Sequence, residues 1–595
     1  MKLLIPYIDK LQDLDARLSR LAAFLGVDYH ALPLVRDVVR HIDYFESVIP
    51  DQPSCLVVNP VVLQEWLGAE RLSVDLVSFL LLRFSSVFVH GLRQQHFDDH
   101  LVSMLSEGQL QGVRGLDEDS AVYEVAKDSY DVCGPFAGIS FGPVNPANDH
   151  VLLANAKTEA LRERISIGGH PFMATMKAKQ TEILFVASKN VADVNEEIGD
   201  APLAEYFSQF VPHAMALRYV AGDECWRPRN ACASIIVDDP LLRENYGFLN
   251  FESLLKLTNH YNFHATIAFI PHNFKRNSFR ITRMFQESSE RLSICFHGND
   301  HTAAEFASSN LTWLNTLLKI AGERMDAHQQ MTGLPCDRVM VFPQGNFSVE
   351  AMEALKCNNF HAAVNTVPHP AKQPTCLTIA ELAQPAVLRY GGFPLFLRKS
   401  SQQSQLHDIA FNVFFGRPVF IVEHHDIFKH PDALVEVVAR INSVVSNIDW
   451  SNLATAVRNS VLVRRSSDGM HHVRAYSSDV TIKNDSASVR HYSIEWGHLY
   501  DSSSVEQVLM NGAPCYRYEI CDGVLRVSVE IAPYSSKTFS LRRRNHLAVA
   551  RTLGISWNAQ AYFRRRLSEL RDNYLSKSPH LLAAAQVLKH CIIRG

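Results

Sequence analysis

Between Ala233 and Ser443, short apolar runs alternate with amphipathic stretches, and most of the apolar runs close on a polar cluster. The runs are Ala233–Val237 (ASIIV), Ala265–Ile270 (ATIAFI), Leu292–Phe296, Val339–Phe342, His361–Asn365 and Val419–Glu423 (VFIVE). Apolar runs of this length, bounded by turn residues, read as strands buried on both faces. Phe251–Tyr261, Leu311–Gln329, Ser348–Leu355 and Asp432–Ser443 read as the helices between them. Strand and helix in strict alternation predict βα units around a parallel, barrel-like sheet. Barrels of this kind carry their chemistry beyond the C-terminal ends of the strands, where these polar clusters fall.

The rhythm changes on either side. Residues 1–225 read as an α/β region of unassigned role, with a helix at Leu11–Leu25 and strands at Ser54–Val58, Phe84–His90 and Ile183–Ala187. A small β excursion is expected at Ile165–Ala178, and His170 in its GGHPF loop reads as structural. This region has no glycine-rich phosphate loop. Residues 226–455 hold the barrel. Residues 456–545 alternate apolar and polar with period two (VTIKND, LRVSVEI, KTFSLRR), which predicts an antiparallel β-sandwich. Residues 546–595 read as a helical, basic tail with Arg564, Arg565 and Arg566, expected to pack on another domain or to support a homo-oligomer. The fold class is thus multidomain α/β with a β-sandwich appended.

Composition narrows the partners. Lys+Arg 58 against Asp+Glu 62 leaves a net charge of -4, so no overall positive field exists to hold nucleic acid. The most apolar stretch, Leu76–Val89, is shorter than a membrane span and carries Arg83. The N-terminal residues lack the apolar core of a signal peptide, and the 11 cysteines are scattered with no CxxC spacing. The expectation is a cytoplasmic protein with free thiols.

Three strand ends present catalytic atoms. The first run ends in Asp238 and Asp239, the third in His297-Gly298-Asn299-Asp300-His301, and the last in His424-His425-Asp426. Two histidines four residues apart, with a carboxylate, make an N2O ligand set for a divalent ion, and zinc suits it. A metal there acidifies water and polarises a carbonyl oxygen. Asp238 beside it can take the proton from that water, and a histidine across the cleft can protonate the leaving group. Together these parts make a hydrolase for an amide or ester.

The order of these motifs resembles the polysaccharide deacetylases, also called the NodB-homology or carbohydrate esterase family 4 domain. The resemblance covers about residues 230–450. It implies a distorted (β/α) barrel that removes N- or O-acetyl groups from sugars. IIVDDP then makes Asp238 the catalytic base and Asp239 a metal ligand, and FHGNDH makes His297 and His301 the other ligands. VFPQGNF resembles the third motif, whose backbone at Gln344 and Gly345 would supply an oxyanion N–H. VEHHD resembles the last motif, with His425 the catalytic acid.

Some residues depart from that pattern. Pro240 stands where the family has Gly, and Phe342 stands where it has the Arg that orients the base. Arg338 and Arg389 are candidates for the missing cation. No Asp-Trp pair orients the histidine, and Asp426 is a candidate for that part. Arg398, in Tyr390–Ser400 (YGGFPLFLRKS), is expected to line a sugar site. The leading expectation is a metal-dependent deacetylase of an acetylated sugar or glycan. The alternative is a non-catalytic glycan-binding or scaffold relative in surface-polysaccharide metabolism. A glycoside hydrolase ranks third, because the adjacent Asp238 and Asp239 would point apart rather than flank a glycosidic bond.

Overall fold

The computed structural model describes residues 2–36, 41–49, 54–68, 72–116, 121–155, 160–199, 201–302, 304–372, 375–497, 505–550 and 555–577. The chain forms two compact units. One comprises Met1–Arg227 with Cys376–Ala383 and Val463–Met470, and the other comprises Pro228–Thr375, Gln384–Leu462 and His471–Gly595.

The first unit is built on a nine-stranded sheet. Lys2–Tyr7, Tyr29–Pro33, Ser54–Val58, Ser86–Val89 and Thr181–Val186 run parallel to one another. The expected β excursion is an antiparallel pair, Leu161–Ile167 with His170–Ala178, which extends that sheet. Ser54–Val58 and Ser86–Val89 are buried at every position, as parallel strands covered on both faces must be. Just past their C-terminal ends, Asn59 and His90 each donate to Asp15 at 2.9 Å. All three side chains are buried, and no sequence pattern singled them out.

The second unit holds the barrel. Its strands are β1 (Cys232–Asp238), β2 (Ala265–Phe269), β3 (Leu292–Phe296), β4 (Asp337–Val341), β5 (Ala362–Asn365), β6 (Leu395–Ser400) and β7 (Val419–Glu423). Each pairs in parallel with the next, and β7 pairs with β1, so seven strands close on themselves. Closure leaves no free edge within the ring. The ring strands are packed on both faces, with Ile235, Val237, Ile267, Ile294, Met340 and Val364 all fully buried.

One strand was not anticipated. Leu395–Ser400 was read as a site loop, but it is β6. Pro394 ahead of it and the Arg-Lys-Ser end mask its short apolar core, so periodicity alone did not separate strand from loop. Without β6 the ring would not close.

The C-terminal part of this unit is β-rich, as expected. One sheet contains His471–Ala475, Arg490–Trp496, Val524–Ile531 and Tyr518–Cys521; another contains Asp479–Asn484, Ser535–Arg543, Val505–Met510 and Ala513–Pro514. Alternate residues are buried: Val473, Ile494 and Val527 in one, Ile482 and Phe539 in the other. The sheets are not wholly antiparallel, since His471–Ala475 pairs in parallel with Arg490–Trp496. The tail forms a helix, Ile555–Asn573, hereafter the C-terminal helix; the tail from 578 onward lies outside the described residues. No described helix is long and apolar enough to cross a membrane, and every described cysteine is a free thiol.

Candidate active site

The β1 strand delivers two adjacent carboxylates in different directions. Asp238 ends the strand and is buried, 3% exposed. Asp239 follows with φ 81, a left-handed conformation that turns its side chain away from the strand path. That turn lets neighbouring aspartates do different jobs.

Asp238 is gripped by Arg398 from β6. Nη1 donates to Oδ1 and Nη2 to Oδ2, each at 2.8 Å. Burial pushes the Asp238 carboxyl up, but the Arg398 guanidinium outweighs it, helped by the charges of His297 and His424, and holds the group at about 2. Arg398 is itself only 4% exposed. Arg398, expected to line a sugar site, has both terminal guanidinium nitrogens committed to Asp238. Arg338, one candidate for the cation missing at Phe342, instead donates to the Asn358 carbonyl at 3.4 Å and lies over the Phe360 ring. Phe342 is fully buried and stacks on Phe347 at 5.3 Å.

Asp239, His297 and His301 converge. Asp239 Oδ1 lies 3.7 Å from His297 Nε2 and 3.3 Å from His301 Nε2. The three potential ligand atoms lie within 4.8 Å of one another. His297 Nδ1 sits 3.0 Å from the Val341 carbonyl. Donating there fixes the tautomer and leaves Nε2 with a lone pair toward Asp239. Burial pushes the His301 ring down to about 4, so it is neutral at pH 7. Asp239 Oδ1 is buried without a hydrogen-bond partner among the described residues. A buried carboxylate oxygen that makes no hydrogen bond and faces two imidazole nitrogens is an N2O donor set, so these residues fit a divalent metal.

The loop that carries His301 is held from beneath. The Glu305 carboxylate accepts the backbone N–H of Asn299, Asp300 and His301 at 2.8–3.3 Å. Burial, and then the Asp300 charge, push Glu305 up to about 7. Arg324 donates to Asn299 and Asp300 at 2.6 and 2.5 Å. Gly298 has φ 67, and a Cβ there would lie 2.5 Å from both Glu305 Oε2 and Pro343 Cγ. Only glycine fits this turn without displacing the loop.

The third motif forms a tight turn, with Gln344 at φ 58 and Gly345 at φ 69. The Gln344 side chain accepts from Ala304 N–H at 3.3 Å, which ties the turn to the His301 loop. The Gly345 N–H donates to Phe342 O at 3.3 Å, and its carbonyl accepts from Asn365 at 2.9 Å.

The two histidines after β7 part company. His424 is exposed, and its charge acts on Asp238. His425 is buried beneath the hairpin Asn245–Asn250, with its ring 5.6 Å from Tyr246 and 6.2 Å from Phe248. A Cβ on Gly247 would lie 2.3 Å from His425 Nδ1. The carboxylate that meets His425 comes from the C-terminal helix: Asp572 Oδ1 is 3.6 Å from Nε2. Asp426 is not the residue in that position. Tyr246 donates to the other Asp572 oxygen at 2.7 Å. Burial pushes Asp572 up, but His425, Arg571 and Tyr246 outweigh it and hold it at about 2. The same helix brings Arg565, 7% exposed, to 3.9 Å from Asp239 Oδ1. Of the basic cluster in the tail, Arg565 is therefore turned into this site. No sequence signal assigned Asp572 or Arg565 to this site.

No family model and no curated protein matches the sequence. Solved structures similar to the chain include the carbohydrate deacetylase Agd3, at 9% identity over 91% of this chain and 98% of that chain, with a TM-score of 0.46. A family 4 carbohydrate esterase from Streptomyces lividans shares 11% identity over 38% of this chain and 93% of its own, with a TM-score of 0.24. The peptidoglycan deacetylase PdaC from Bacillus subtilis shares 12% over 39% of this chain and 92% of its own, with a TM-score of 0.24.

Proposed function

We propose that the chain is a metal-dependent hydrolase that removes an acetyl group from an N- or O-acetylated sugar or glycan. The observation that carries this reading is the pairing of two unlike carboxylates at one strand end. Asp238 is ion-paired and free of the ligand cluster; Asp239 faces His297 and His301. The motif order resembling the polysaccharide deacetylases agrees with it.

Asp239, His297 and His301 would hold the metal, and zinc suits the set. When bound, the metal supplies a Lewis acid for the acetyl carbonyl and lowers the pKa of water. The residues of the chain do the rest. Asp238, kept ionised by Arg398, accepts the proton of the attacking water. The Gln344 N–H is offered to the developing oxyanion. His425 carries a proton to the leaving amine or alcohol, and Asp572, 3.6 Å from its Nε2, is the positioning carboxylate. The acetyl C–N or C–O bond breaks, and acetate leaves with the water oxygen. One observation favours His424 as the acid instead: it is exposed and its charge reaches Asp238.

The test is acetate release from acetylated oligosaccharides by the full chain loaded with zinc. Expected is release that Asp238→Asn abolishes while the metal content is unchanged. A profile in which His425→Asn is active and His424→Asn is not would move the acid role to His424. Metal retained with no acetate from any acetylated saccharide would favour the non-catalytic glycan-binding relative, and reducing sugar in place of acetate would favour a glycosidase.

A further inference from the structure

The C-terminal helix with the residues that follow it and the segment Leu241–Tyr246 line an open cavity beside the candidate active site, about 520 Å³ in volume. That is within the range of small-ligand sites. Its wall is polar and basic. Arg243 and Asn245 line it from the barrel side, and Arg566, Asn573 and Lys577 from the helix side.

Charge in this cavity is not balanced. Glu569, the one carboxylate among its described lining residues, pairs directly with Arg276, lies 3.6 Å from Arg566 and lies 3.8 Å from Arg243. Three guanidiniums share one carboxylate. Among the described residues no carboxylate pairs with Lys577. Glu244, also near Arg243, accepts from Ser278 at 2.5 Å and feels Arg280 more strongly. A recess with surplus positive charge and two asparagine amides is built to receive an anion on a polar body. Tyr574, 67% exposed at the rim, offers a ring face for a sugar to lie on.

The cavity adjoins the reacting centre. Tyr246 forms part of its wall, donates to Asp572 and meets the His425 ring edge-on at 5.6 Å. Resting on the deacetylase reading above, we infer that this cavity is a subsite for a carboxylate-bearing sugar unit adjacent to the acetylated one. The substrate class is then an acetylated glycan that also carries acidic residues. Arg566 and Lys577 take the carboxylate, and Asn245 and Asn573 take hydroxyls.

The test compares two probes by calorimetry on the full chain at low ionic strength. One is a tetrasaccharide alternating N-acetylhexosamine with uronic acid; the other is the same compound with its carboxyls reduced to alcohols. The acidic probe is expected to bind about tenfold more tightly, the scale of one charge-assisted contact. Arg566→Gln with Lys577→Gln is expected to abolish the difference. Arg566→Lys with Lys577→Arg, which keeps both charges, is expected to retain most of it. Equal affinity of the wild type for both probes would overturn the inference. So would a difference that survives the Gln pair, or inorganic phosphate competing as effectively as the acidic sugar. Binding is read without turnover, so the two readings fail separately. Acetate release without carboxylate preference removes only the subsite; carboxylate preference without acetate release removes only the deacetylase.

Discussion

The Asp238 carboxylate and the Arg398 guanidinium meet at two points, 2.8 Å at each oxygen, from strands on opposite sides of β7 in the barrel ring. Both side chains are almost fully buried. The pair therefore couples barrel integrity to the state of the base.

That coupling predicts two distinguishable variants. Arg398→Ala leaves a buried carboxylate unpaired and should destabilise the fold by about 3–5 kcal/mol. Arg398→Lys keeps the charge but not the planar fork. It should fold with a smaller loss and still lower kcat by about tenfold or more, because Asp238 is no longer held in one orientation. Denaturant unfolding and acetate release measure the two effects. Equal stability of Arg398→Ala and wild type would contradict the burial argument.

Asp572→Asn is predicted to loosen the positioning of His425. The carboxylate lies 3.6 Å from His425 Nε2 and accepts from Tyr246 on its other oxygen, so its removal should lower kcat by about tenfold with little change in KM. The stability effect has its own sign. Asp572 is held at about 2, below its unfolded value, so it contributes stability above the unfolded pKa that is lost as pH falls toward 2. That contribution is on the order of 2 kcal/mol at neutral pH. Wild type should therefore lose its advantage over Asp572→Asn between about pH 4 and pH 2. A kcat equal to that of wild type would place Asp572 outside the reaction.

Gly298→Ala is predicted to disturb the metal site without touching a ligand. Its φ of 67 and the 2.5 Å approach to Pro343 and Glu305 leave no room for a methyl group. A loss of about 1 kcal/mol or more is expected from the backbone alone. The His301 loop should shift, with metal affinity falling further than stability. Titration with zinc, followed by competition with a chelator, reads the difference.

Metal content tests the ligand set directly. Wild type is expected to retain about one divalent ion per chain by elemental analysis, as a three-residue site with open positions does. Asp239→Ala and His297→Ala should each lose it, and Asp238→Asn should not. Retention of the metal by both ligand variants would sink the assignment.

Much of the barrel was legible in the sequence. Six of its strands show as apolar runs, and Leu292–Phe296 and Val419–Glu423 match their observed bounds. The helix Phe251–Tyr261 does too, because its apolar residues recur at helical spacing. The metal cluster was legible for the same reason. Asp239, His297 and His301 each sit just past a buried strand, so local pattern places them at one end of the barrel.

What tertiary structure alone decided is how that cluster is served. Arg398 was visible as a residue but not as the partner of Asp238, because the pairing depends on β6 closing the ring. Asp572, Arg565 and the basic cavity beside them depend on where the C-terminal helix docks. A strand or helix announces itself through neighbours a few positions away, since its periodicity is local. An ion pair between distant segments leaves no such periodic mark; its partners are chosen when the barrel closes and the helix packs against it. The sequence by itself therefore determined a parallel barrel with Asp239, His297 and His301 clustered at its mouth, and the packed structure determined which cation pairs with Asp238 and which carboxylate meets His425.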